Sequence, residues 1–209
     1  MEEATALKRL FTWSSRLWKT RELNEGLAEM LRASIQMMGA DKGNVQILDD
    51  RGILTIAAQQ GFDQPFLEFF KQISVNEKSA CARALRSGRR IIIEDVEADE
   101  AFAQFRQLAL AAGFGAVQST PLIAHDGKPL GVLSTHFCDV RRPSKHQMRM
   151  LDLYARRAVD FIERHRSEEA LRRSEERYNP YRTQPACPTT SPTAAANLRS
   201  HALFQGIND

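Results

Sequence analysis

The hydrophobic period of this chain changes twice, and that change limits the folds open to it. Leu23, Leu27, Met30, Leu31, Ile35 and Met38 form one stripe at helical spacing, and Gly39 follows where a C-terminal cap belongs. The period then drops to two. Asn44–Leu48 and Ile53–Gln59 read as strands joined by Asp49-Asp50-Arg51-Gly52, and Ala116–Ala124 and Leu130–Phe137 read as strands joined by His125-Asp126-Gly127-Lys128. After Pro143 the helical period returns. Hairpins build an antiparallel sheet, so helices must cover it from the two ends of the domain and from the insertion between the hairpins.

Within that insertion, Pro65–Ile73 carries Phe66, Phe69, Phe70 and Ile73 at helical spacing. Ser79–Ser87 is a helix stopped by Gly88, and Phe102–Ala112 is a helix stopped by Gly113. Arg90–Glu94 is β-branched and reads as a buried strand. The expected fold is an α/β (α+β) sandwich. A central antiparallel sheet of about five or six strands carries the terminal helices on one face and the inserted helices on the other.

The last helix opens on a capping box, Ser144 with Gln147, and continues through a seam of Met148, Leu151, Ala155, Ala158 and Ile162. Its second half is dominated by charge, with Glu168–Arg172 and Glu169–Arg173 in the favourable order, and it is expected to reach Tyr178. At Asn179 the composition changes. The last 31 residues hold four of the eight prolines and only three charges, too little apolar surface to order themselves. The expected organisation is an N-terminal helix in 1–22, a folded domain over 23–163, a charged helical linker over 164–178 and a disordered tail over 179–209.

Lys and Arg exceed Asp and Glu by 29 − 26 = 3, with no basic stripe, so nucleic acid is not an expected partner. No stretch approaches the ~20 apolar residues of a membrane span. The opening MEEATALKRLF places acids where an export signal places bases, so the expected location is cytoplasmic. The three cysteines, Cys81, Cys138 and Cys187, have neither CxxC nor metal-ligand spacing and read as reduced thiols.

Four segments, in order, carry a resemblance: ASIQMMGADKGNVQILDDRGILTIAAQQGF, SACARALRSGRRIIIEDVEADEAF, GAVQSTPLIAHDGKPLGVLSTHF and RRPSKHQMRMLDLYARRAVDFIE. Together they resemble a GAF domain over Leu23–Glu163. That family is the small-ligand and dimerisation module of signalling proteins. The following RSEEALRRSEERY resembles the linker that precedes a kinase or PAS-type module in bacterial sensor proteins. The resemblance implies an input module of a sensor histidine kinase-like protein, expected to lack its output domain. Such a module binds a small ligand and relays a signal as a homodimer. A dimerisation-only module with a vestigial pocket is one alternative, and a GAF-type free methionine sulfoxide reductase is another. Bilin-carrying relatives place a Cys-His pair at the attachment site, but here Ala82 follows Cys81 and Asp139 follows Cys138. Asp95, Asp99 and Phe102 echo part of a cyclic-nucleotide pattern, although turn and capping roles for both aspartates suffice. No cofactor is identified.

The resemblance places a pocket between the sheet and the inserted helices, and strand alternation nominates its polar lining. Asn44 and Gln46 share one face, as do Ser134 and His136, and as do Gln118 and Thr120. These six are candidate ligand contacts. The alternative is that they satisfy one another and buried water. His136 has no partner ligands for a metal. Cys81 joins the candidates because it opens an inserted helix, where the helix dipole lowers a thiol pKa; packing as a small core residue is the other reading. For the dimer, Leu10, Phe11, Leu17 and Trp18 of the first helix, with Leu171 and Tyr178 of the last, are the expected contact residues.

Overall fold

The structure is a computed structural model that describes residues 22–178. The expected helix at 7–18, with its dimer contacts, and the expected tail at 179–209 lie outside the described residues.

Helix α1 (Leu23–Met38) ends where Gly39 adopts φ 59°, a left-handed conformation that lets the chain reverse into the first strand. Strands β1 (Lys42–Leu48) and β2 (Ile53–Gln60) form the first hairpin. The insertion supplies helix α2 (Gln64–Phe69), strand β3 (Gln72–Ser74), helix α3 (Ala80–Ser87), strand β4 (Ile91–Ile93), a 3₁₀ segment (Glu100–Phe105) and helix α4 (Arg106–Ala111). Strands β5 (Ala116–Ile123) and β6 (Pro129–Phe137) form the second hairpin, and helix α5 covers Lys145–Tyr178. The capping box is reciprocal: Ser144 N–H donates to Gln147 Oε1 at 2.8 Å and Gln147 N–H donates to Ser144 Oγ at 3.2 Å.

The six strands run in the order β3-β2-β1-β6-β5-β4, every pair antiparallel. The two hairpins therefore meet at the centre, where Asn44 lies opposite Ser134 and Val45 opposite Leu133. Two apolar layers follow from the strand period. On one face Leu27, Met30, Leu31 and Met38 of α1 pack with Val45, Leu133, Leu151, Ala158 and Ile162. On the other, Phe66, Cys81, Leu85, Phe102, Phe105 and Phe114 pack with Leu54, Val117 and Val132. Terminal helices on one face and inserted helices on the other is the sandwich that the order of elements predicts.

Two segments differ from their expected form. Ile73 lies beyond the end of α2, in β3, and pairs with Leu54 of β2. Its spacing fits a helix, but burial at the sheet edge outweighs that local pattern. Phe102–Ala112 divides into the 3₁₀ turn and α4, because Asp99 caps the segment early by accepting from Phe102 N–H at 2.9 Å. Among the described residues no helix is long and apolar enough to cross a membrane. Residues up to Leu171 belong to one compact unit, and Arg172–Tyr178, the end of α5, to a second.

Candidate functional site

A cavity lies between the sheet and the insertion. Its floor is polar: Asn44 and Gln46 from β1, Ser134 and His136 from β6, and Ser119 from β5. Its walls are phenyl rings, Phe66, Phe70, Phe102 and Phe114, and its end is closed by Ser79, Ala80 and Cys81 at the start of α3. The cavity measures about 20 Å³, room for one water or two at about 10–15 Å³ each. Any larger occupant must push a wall back.

Some floor groups pair with one another. Ser119 Oγ and Ser134 Oγ share a hydrogen bond of 2.8 Å across the β5–β6 pair. Ser79 Oγ lies 3.1 Å from Cys81 Sγ and accepts from Ala82 N–H at 3.4 Å, capping α3. Others do not pair. Asn44 Oδ1, Gln46 Nε2 and His136 Nδ1 are buried and have no hydrogen-bond partner among the described residues. A buried polar group left unmatched costs about 1–3 kcal/mol, so three converging on one small cavity are a costly arrangement.

His136 sits among rings, edge-on to Phe62 at 4.9 Å and to Phe114 at 4.7 Å between centroids. Burial lowers its pKa to about 3, and the charge of Lys42 adds to the effect. The imidazole is therefore neutral at ordinary pH. Burial likewise pushes the Cys81 thiol up, against the lowering expected of a helix start, with the contact to Ser79 opposing in part. Neither group carries a charge into the cavity.

The structure brings together Asn44, Gln46, Ser134, His136 and Cys81. It does not bring Gln118 and Thr120 to them. Those two side chains lie on the opposite face, where Gln118 Nε2 donates to Thr135 Oγ1 at 3.3 Å and Thr120 Oγ1 donates to Gln118 Oε1 at 2.6 Å. The reason is one irregular step. Ile123 pairs with Pro129, but between Leu122 and Ile123 the register shifts, so Ser119 rather than Gln118 lies opposite Ser134. A shift of one residue exchanges the two faces of a strand. Sequence reasoning missed Ser119, Ser79 and the phenyl walls; the sevenfold recurrence of Phe in the insertion was the available signal, without a register to aim it.

Asp99 accepts from Phe102 N–H and also pairs with Arg83 at 3.2 Å, while Asp95 accepts from Glu97 N–H at 2.8 Å. Both aspartates thus serve as turn and cap. Among the described residues no three His, Cys, Asp or Glu side chains are placed to hold a metal ion.

Residues 20–163 match the family model of the GAF domain. The methyl sulfide methyltransferase-associated sensor of Methanosarcina acetivorans is 27% identical over 107 residues, which are 51% of this chain and 11% of that relative. The chain thus spans about a tenth of the sensor's length. Among solved structures, a domain assigned to a two-component sensor histidine kinase of Sinorhizobium meliloti superposes with a TM-score of 0.61 at 20% identity, covering 71% of this chain and 95% of that one. The free methionine-R-sulfoxide reductase of Neisseria meningitidis, in complex with its substrate, gives a TM-score of 0.65 at 18% identity, covering 80% and 94%. At these identities the structures share the fold alone. With the family model spanning well over half of its residues, this chain belongs to the GAF domain family.

Proposed function

We propose that the chain is a non-catalytic sensory module that holds a small molecule in the cavity between its sheet and inserted helices. As a homodimer it passes the state of that cavity through its terminal helices to an output domain, a kinase or a PAS-type module. The observation that carries the reading is the convergence of Asn44 Oδ1, Gln46 Nε2 and His136 Nδ1, buried and without partners. A core under no functional demand replaces such groups with apolar ones. Dimerisation through α5 is supported by Leu171 and Tyr178, large apolar side chains exposed on a helix otherwise rich in charge.

Reductase chemistry fits these residues poorly. It calls for a low-pKa thiol beside a resolving thiol, whereas Cys81 is buried with its pKa pushed up and Cys138 is exposed. A ligand-free dimerisation module is favoured only by the small volume of the cavity.

Native mass spectrometry of freshly purified full chain tests the proposal. The expected spectrum is a dimer carrying a non-covalent mass that is lost under denaturing spray. A bare chain, whether monomer or dimer, contradicts ligand carriage. A monomer at tens of micromolar contradicts the helix-mediated relay.

A further inference from the structure

We infer that the ligand this cavity accepts is a small, uncharged, planar molecule of the carboxamide or lactam class, presenting an N–H donor and a C=O acceptor side by side. The inference rests on the ligand-binding reading above and deepens it.

The first support is charge. Among the described residues no Lys, Arg, Asp or Glu lines the cavity, and its two titratable side chains, His136 and Cys81, are both held neutral. Lys42, whose charge reaches His136, is not part of the lining; its Nζ stands 6.0 Å from the centroid of the Phe62 ring. An ionised ligand brought among these phenyl rings loses its water with no counter-charge to replace it. A neutral ligand escapes that penalty.

The second support is the complement of the unmatched groups. Asn44 Oδ1 needs a donor and Gln46 Nε2 needs an acceptor. They stand two residues apart on one face of β1, about 7 Å along the strand. A single amide or lactam edge offers both functions. Turning both carboxamides over exchanges the two roles and leaves the demand for one donor and one acceptor the same. His136 Nδ1 adds a third point that either tautomer can serve.

The third support is shape. The cavity of about 20 Å³ must widen to admit a ligand. A flat ring entering between Phe66, Phe70, Phe102 and Phe114 displaces them least and gains stacked or edge-on contact. The wall holding Phe66 is α2, a helix of only six residues.

The test uses the full chain and two complementary measurements. Thermal shift and calorimetry are run with matched pairs, nicotinamide with nicotinate and benzamide with benzoate, together with 2-pyridone and benzylammonium. Near-isosteric Gln46→Met and Asn44→Leu chains serve as variants, with circular dichroism to verify the fold. In parallel, any small molecule released from fresh wild-type protein is identified by mass and by its charge at pH 7. The expected result is binding of a neutral amide or lactam at least tenfold tighter than its ionised counterpart, lost at least tenfold in each variant, or release of a neutral molecule of that class. Ionised compounds binding as tightly as their neutral counterparts, or an ionised natural ligand, overturn the chemical class while leaving the cavity as a ligand site. Binding unaffected by either variant overturns the assignment to Asn44 and Gln46. No binding by any probe, with a bare chain in the native spectrum, overturns both this inference and the ligand reading beneath it.

Discussion

Arg90 Nε donates to Thr120 Oγ1 at 2.7 Å on the sheet face away from the cavity, and the same guanidinium pairs with Asp152 of α5. Arg90 stands three residues after α3, the helix whose start closes the cavity. One side chain thus joins the insertion, the sheet and the terminal helix. Arg90→Met is expected to lower stability by about 1–2 kcal/mol, because a charged donor to a buried hydroxyl is lost. Asp152 is 55% exposed, so Asp152→Asn is expected to cost only about 0–1 kcal/mol. Urea denaturation of both variants checks the order. Equal costs would mean that the ion pair, not the hydroxyl contact, is what Arg90 contributes.

His136 makes stability depend on pH. Its pKa in the folded chain, about 3, lies below the unfolded value of about 6.5. Between these values the unfolded chain binds a proton that the folded chain refuses. The stability due to neutral His136 is therefore complete above about pH 6.5 and is lost as pH falls toward 3, by up to about 1.4 kcal/mol per unit. Urea denaturation at pH 7, 6 and 5 should show a shallower slope for His136→Phe than for the wild type. Parallel slopes would contradict the buried, neutral assignment.

The two described thiols should differ in reactivity. Cys81 is buried and Cys138 exposed, while both have raised pKa values, Cys81 and Cys138 alike chiefly through desolvation. Brief alkylation at pH 7.5 followed by peptide mapping is expected to label Cys138 at least tenfold faster than Cys81. Denaturant should remove the difference. Rapid labelling of Cys81 in the folded chain would show an activated thiol and would reopen the reductase reading.

Gly131 marks a close approach of β6 to β1. A Cβ there would collide with the carbonyl oxygen of Gln46. Gly131→Ala therefore requires β1 and β6 to separate at the floor of the cavity. The expected loss is about 3 kcal/mol, a fall of about 10 °C in Tm for a chain of this size. A Tm within 2 °C of the wild type, on the same scale, would place the strands further apart than described.

Gln46→Met should act in two directions at once. It removes a buried Nε2 that has no partner, so the ligand-free chain is expected to gain about 1–3 kcal/mol. The same change removes a proposed ligand contact. Stability gained with binding lost is the pattern of a group kept for function. Loss of stability in the ligand-free chain would show that Gln46 already has a partner.

Much of this architecture was legible because its signals are local. The reciprocal capping of Ser144 and Gln147 and the left-handed Gly39 are written in neighbouring residues. The shared face of Asn44 and Gln46 follows from alternation within a single strand. The misplaced residues depend on non-local geometry. Gln118 and Thr120 are the more conspicuous polar pair of β5, yet one register shift beside the Asp126-Gly127 turn hands the cavity to Ser119. Ile73 follows the helical spacing of the phenylalanines before it, but Leu54 draws it into the sheet. Phe70, Phe102 and Phe114 come from three separate segments, and only the packed insertion aims them at one point.

The most direct test is a crystal structure of freshly purified protein, read at the floor of the cavity. The account predicts density for a non-water molecule within about 2.7–3.2 Å of both Asn44 Oδ1 and Gln46 Nε2, with Phe66 displaced to admit it. Density for water alone, or the two carboxamides hydrogen-bonded to each other or to Ser134, would contradict it.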